Sequence, residues 1–152
     1  MRTDIKFYVV ESLFKLLKNK DIKDIKITEI VNLSNISRTS FYNNFNNIND
    51  ILVYKFNLIA EEIYIIYKLN KFRKKDNKEL LKKILQYIDN NKDIFLIIKN
   101  RFYFEFKTIL DNYFFNKLNT YEYLISSGIL INLCLHYINN NFCIELNKIK
   151  ID

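Results

Sequence analysis

The 152-residue chain holds one glycine, no proline, two cysteines and one histidine. Each shortage closes off part of fold and function space. Antiparallel β architectures use Gly, Pro, Asn and Asp at their many tight turns, and parallel α/β folds place glycines in their loops. Asparagine, at 22 residues, can serve some of those turns. A chain almost without Gly and wholly without Pro still builds helices joined by Asn-rich corners most easily, so the expected class is all-α. A lone Gly128 rules out the Gly-rich phosphate loops of Walker and Rossmann nucleotide sites. His136, Cys134 and Cys143 cannot complete a four-ligand zinc site without carboxylates. Two cysteines do not make a disulfide framework, and the polar stretch Met1 to Lys6 has no signal-peptide pattern. The longest apolar stretch, Leu124 to Ile138, is only 15 residues and is interrupted by Ser126, Ser127, Asn132 and His136. That is too short and too polar to span a bilayer. The expectation is a soluble cytoplasmic protein with reduced thiols, no cofactor and no membrane partner.

What is present is globular in composition, with 49% hydrophobic and 27% charged residues. The length suits one compact domain or two small lobes. Lys, Asn and Ile supply 67 of the residues, and their A/T-rich codons point to a genome of low G+C content. Part of the basic charge is therefore compositional. Net charge is +7, with nine Lys/Arg against six Asp/Glu in residues 1–56 and 15 against 11 in residues 57–152. A basic surface favours polyanions such as DNA, but it is not a motif.

Along residues 4–19, Ile5, Val9, Ser12, Leu13, Leu16 and Leu17 fall on one face of an amphipathic helix. A short connection carries Ile22 and Ile25. A second helix is expected over about 27–34, with Ile27, Ile30, Val31 and Ser34 inward. Asn35 suits a left-handed stop, because Asn tolerates that conformation best after Gly. Ser37 suits the N-cap of a third short helix ending near Asn44, with Phe41 and Phe45 inward. From Asn49 the pattern Ile51, Leu52, Lys55, Leu58, Ile59, Glu62, Ile63, Ile66 predicts a long helix to about Asn70. Asp76 can cap a helix over about 78–89 through Leu80, Leu81, Ile84, Leu85 and Ile88. Phe102, Phe104 and Phe106 alternate as strand residues do, but no partner strand is evident, so two helices, about 92–99 and 101–117, are expected. Thr120 would cap a last long helix over about 121–140.

Three short helices, a tight corner at Asn35 and a long fourth helix describe a helix-turn-helix head. The segment Ile27 to Leu52 resembles the TetR/AcrR family of bacterial transcriptional regulators. Ile30, Ile36, Ser37, Arg38, Ser40, Phe41, Tyr42, Phe45, Asp50 and Leu52 match the family pattern. Leu13-Phe14 also stand where the family usually has Leu-Phe, so the likeness covers about residues 4–56. It departs from the pattern at Asn35 and Thr39, which replace common glycines, at Lys26 in place of a capping Thr, and at Ile48 in place of a Lys. The resemblance implies a DNA-binding domain over 1–48 and a helical effector-binding and dimerisation domain over 49–152. The second helix of the motif would enter the major groove. Arg38 matches a guanine O6/N7 pair, Ser37, Thr39 and Ser40 supply hydroxyls, and Asn43 and Asn44 suit adenine or phosphate. Tyr42 is expected to bury its ring while its hydroxyl reaches phosphate, as Thr28 would from the preceding helix.

Members of this family are homodimers that read palindromic operators in double-stranded DNA. Tyr121 to Asn141 also resembles the C-terminal domain of a low-G+C Gram-positive subgroup. Small Ser126, Ser127 and Gly128 would let two helices approach closely, between subunits or within one; with Ile131 and Leu135 on the same helix they are the expected dimer interface, the alternative being an ordinary buried helix. A small-molecule effector would sit among the middle helices, near Tyr64, Tyr67, Phe102, Tyr103, Phe106, Tyr113 and His136, although aromatics at helical spacing are more often core. No acid–base pair or nucleophile constellation is visible, so no enzymatic role is expected. The expected function is a transcriptional regulator, a repressor released by an effector. The alternative is a helical protein-interaction module whose DNA-binding head has drifted.

Overall fold

The computed structural model describes residues 5–73, 76–118, 132 and 135–140. Among these the secondary structure is helical throughout, with no strand. The helices are α1 (Ile5–Leu17), α2 (Ile27–Ser34), α3 (Arg38–Tyr42), α4 (Ile48–Phe72), α5 (Asn77–Asn90), α6 (Lys92–Arg101) and α7 (Tyr103–Lys117), with a short 3-10 turn at Ile22–Asp24. Residues 135–139 are helical as well. The segment with the expected interface residues Ser126, Ser127, Gly128 and Ile131 lies outside the described residues, as do Cys134 and Cys143. No described helix is long and apolar enough to cross a membrane.

The chain forms two compact units, Met1–Lys55 and Phe56–Asp152. The first two turns of α4 thus belong with the N-terminal unit. In that unit α1 buries Val9, Val10, Leu13, Phe14 and Leu17. Against them lie Ile25, Ile30, Val31, Phe41, Phe45, Ile51 and Leu52, all nearly inaccessible. Ser12 and Ser34 are the small polar members of this core, and the Ser34 hydroxyl donates to the Ile30 carbonyl at 2.7 Å. That bond satisfies the hydroxyl within its own helix, so its burial leaves no polar group stranded.

The second unit is built around phenylalanines. Phe56 of α4 meets Phe102 and Phe106 at ring distances of 6.2 and 5.5 Å, and Phe95 of α6 meets Phe106 at 6.0 Å. These edge-on and tilted pairs are the preferred aromatic arrangements. Helix α5 supplies Leu80, Leu81, Ile84, Leu85 and Ile88, all buried. Its N-cap is Asp76, whose carboxylate accepts from the Glu79 amide at 2.7 Å. Asn70, buried at the end of α4, donates to the Asp76 carbonyl at 3.2 Å and so ties that cap to α4. Tyr137 donates to the Asp89 carboxylate at 2.7 Å, which holds the helical turn at 135–139 to the end of α5.

The stretch that alternates like a strand, Phe102 to Phe106, is the junction of two helices. Phe102 sits between α6 and α7, buried, and Phe104 is 77% exposed. Helical winding puts Phe102 and Phe106 on one side and turns Phe104 away.

Candidate nucleic-acid interface

The site is assembled from the corner between α2 and α3. Helix α2 ends at Asn35, which adopts φ 54°, ψ 43°, the only positive-φ position among the described residues. The Asn35 amide donates to the Asn32 carbonyl at 3.3 Å and the Ile36 amide to the Val31 carbonyl at 3.2 Å. This paired closure satisfies carbonyls that the helix end would otherwise leave open. Two residues on, the Ser37 hydroxyl accepts from the Ser40 amide at 3.0 Å and lies 2.9 Å from the Ser40 hydroxyl. The stop of one helix and the start of the next are therefore set within Asn35–Ser37.

Helix α3 spans only Arg38–Tyr42, and its inward residue is Phe41, wholly buried and 6.2 Å from Phe45. Its outer side carries Arg38, Thr39, Tyr42 and Asn43, all exposed. The Arg38 side chain makes no hydrogen bond or ion pair among the described residues. Ser40 and Asn44 are half-buried, and the Asn44 amide donates to the Ser40 carbonyl at 2.8 Å, closing the end of α3. Ser37 is exposed but held by its capping bond. Thr28 is half-buried on α2. Tyr42 departs from expectation: it is 55% exposed, its ring edge-on to Phe41 at 5.4 Å. Phe41 and Phe45 already fill the inward positions, and the next residue along a helix points well away from them.

Several supporting residues are not evident from the motif. The Glu29 carboxylate accepts from the Lys26 amide at 3.0 Å and pairs with the Lys20 ammonium. Lys26 thus starts α2 without a capping side chain of its own, since Glu29 reaches back from the first turn. The Lys20 bond first, and the Lys26 amide second, hold the Glu29 carboxyl below its ordinary range. Helix α4 starts with the Asn47 side chain accepting from the Asp50 amide at 3.0 Å, while the Asp50 carboxylate accepts from the Asn46 backbone amide at 2.9 Å. The signature Asn-x-x-Asp is readable in sequence; the nine-residue Lys20–Glu29 reach is not. The Lys6 ammonium lies 4.9 Å from the Tyr54 ring centre and 5.9 Å from that of Phe45.

In the C-terminal unit the aromatic candidates divide in two. Phe102 and Phe106 are core residues. Tyr64, Tyr67 and Tyr113 cluster with Phe114, with Tyr64–Tyr113 at 6.0 Å and Tyr67–Phe114 at 6.3 Å. Tyr67 is buried, and Tyr64 and Tyr113 are half-buried. Lys68, Lys71 and Lys117 each place an ammonium within 6 Å of one of those three tyrosine rings. Tyr103 is half-buried at the start of α7, and Leu135 is buried. His136 is exposed, its Nε2 2.7 Å from the Asn140 side-chain nitrogen. Among the described residues no three His, Cys, Asp or Glu side chains gather where a metal ion could be held.

No protein-family model matches the chain, and no curated protein matches its sequence.

Proposed function

We propose that the chain is a sequence-specific DNA-binding transcriptional regulator of the TetR/AcrR type. The observation that supports it is the α2–Asn35–α3 corner. A left-handed stop and a serine cap present a short helix whose inner side is Phe41 and whose outer side is Arg38, Thr39, Tyr42 and Asn43. An arginine fork can pair with guanine in the major groove, and short hydroxyl and amide side chains suit neighbouring base edges and phosphates. Arg38 has no carboxylate partner among the described residues, so pairing with guanine displaces no existing ion pair.

A helix this short reads a half-site and needs a second copy for useful affinity, so the working form in this reading is a homodimer on a palindromic operator. Release by a small-molecule effector, repression as the outcome, a cytoplasmic setting and the absence of catalysis belong to the same reading. The test is binding of the full chain to its own upstream DNA at two salt concentrations against scrambled competitor. Binding that survives the competitor supports the reading, and Arg38→Ala then removes the preference for operator over scrambled DNA, by about 1–3 kcal/mol per lost guanine contact. Weak binding erased equally by scrambled DNA overturns it in favour of a protein-interaction role.

A further inference from the structure

Beyond Arg38, helix α3 and the chain that follows it bring no positive charge of their own. From Thr39 to Tyr54 the sequence holds no lysine or arginine and one carboxylate, Asp50. Asp50 is engaged as an acceptor by the Asn46 backbone amide and side-chain nitrogen, both at 2.9 Å. A cation reaches this corner from α1 instead. The Lys6 ammonium lies 4.9 Å from the ring centre of Tyr54 and 5.9 Å from that of Phe45, and those two rings meet edge-on at 5.7 Å. Phe45 in turn lies 6.2 Å from Phe41, the buried anchor of α3. Lys6 is therefore placed just past the end of α3, within the same compact unit.

Lys6 stands in the first turn of α1, which holds no acidic residue. A cation at that end opposes the helix dipole, so the α1 backbone gains nothing from it. The ring faces offset this. They hold the ammonium without supplying a counter-charge, as a carboxylate would, and leave the side chain half-buried. Fixing a long side chain beforehand removes part of the ordering cost of a later contact. A helix seated in the major groove has a phosphate strand along each rim, and a cation pre-placed beyond its end is what such a strand attracts.

We propose that Lys6 is a phosphate contact of the DNA-binding head, a cation delivered by α1 and held on Phe45 and Tyr54 against the strand that passes the end of α3. This rests on the DNA-binding reading and adds to it a contact that carries no sequence preference.

Binding of the full chain to its own upstream DNA and to scrambled duplex, each from about 50 to 200 mM salt, tests this. Lys6→Met keeps an unbranched stem on the rings and removes the charge. It should weaken binding to both duplexes by the same factor and make log K against log salt less steep by about 0.9 per bound chain. Lys6→Arg, which keeps a cation over the rings, should retain the parent slope. A second measurement needs no variant: acetylation of Lys6 by acetic anhydride in the parent chain should slow several-fold when DNA is saturating, while that of exposed Lys82 on α5 should not. An unchanged slope for Lys6→Met, or a Lys6 acetylated equally fast with DNA bound, overturns the proposal. So does a Lys6→Met chain that loses its preference for upstream over scrambled DNA, since Lys6 would then act by placing α3. Absence of that preference in the parent overturns the regulator reading alone, because the slope is still read on scrambled duplex. A parent chain that binds neither duplex overturns both.

Discussion

Asn35 carries the corner on which the candidate interface depends, and its replacement has a calculable outcome. At φ 54° the side chain of an ordinary L-residue crowds the backbone, at a cost of roughly 1–2 kcal/mol, and a β-branched residue fares worse. Asparagine reduces that cost by hydrogen-bonding locally, and glycine escapes it but gains freedom in the unfolded chain. The expected order of stability is therefore Gly at or slightly above Asn, within about 1 kcal/mol, then Ala about 1 kcal/mol below, then Val about 2 kcal/mol below. With a urea slope of about 1–3 kcal/mol per molar, Asn35→Val should lower the unfolding midpoint of the N-terminal unit by roughly 1 M. Amide hydrogen exchange localises the effect. The Ile36 amide, bonded to the Val31 carbonyl at 3.2 Å, should lose protection in Asn35→Val before the amides of α5 change. A glycine variant less stable than the alanine variant would refute the reasoning, because the left-handed backbone would then not govern the position.

Three further outcomes are expected. Ser37→Ala removes the acceptor of the Ser40 amide and should cost about 1 kcal/mol by denaturant titration, while Ser40→Ala, which leaves that cap intact, should cost less. Ile84→Ala opens a hole in the C-terminal core and should cost about 2–5 kcal/mol, whereas exposed Lys82→Ala should stay within about 0.5 kcal/mol of the parent. Burial first, and the nearby Glu62 carboxylate second, push the Tyr87 hydroxyl up to about 12. Its folded form therefore keeps a proton that the unfolded chain releases from about pH 10 upward. Its contribution to stability is complete below pH 10 and is lost as the pH rises towards 12. Because the ring is only half-buried, about 1–2 kcal/mol is at stake. Tyr87→Phe should flatten the decline measured by alkaline denaturation, and an unchanged slope would exclude Tyr87 as its source.

What could be read in the sequence was chiefly what local physics decides. The five apolar residues expected along α5 are the five that are buried there, because a helix polar on its other side has only one face to bury. Asn35, Ser37 and Asp76 act as expected because stops and caps depend on residues a few positions away. Helix α4 was harder. Leu58 and Ile59 both fit the expected stripe, yet Leu58 is exposed and Phe56, Ala60, Tyr67 and Asn70 are buried. A helix rich in Ile, Leu and Tyr on both sides has no single face that periodicity can select. At the candidate interface, the exposure of Tyr42 and the Lys20–Glu29 pair are not legible in the sequence for a different reason: each is settled by neighbours across a corner. The aromatic residues of the C-terminal unit could be named from sequence, but which of them are core depended on how α4, α6 and α7 meet.

The hydrogen bond from the Ile36 amide to the Val31 carbonyl also bears on chemical ageing. Asparagine deamidates when the next residue's backbone nitrogen attacks the side-chain amide and closes a succinimide ring, a reaction fastest when that residue is glycine. The residue after Asn35 is a branched isoleucine whose amide is already engaged, and the lone glycine of the chain follows a serine. Succinimide closure at the corner would have to break that bond and swing the Asn35 side chain over its own backbone. A protein with 22 asparagines should therefore keep this one intact longer than asparagines on unbonded backbone. Loss elsewhere by mass spectrometry should precede any conversion of Asn35.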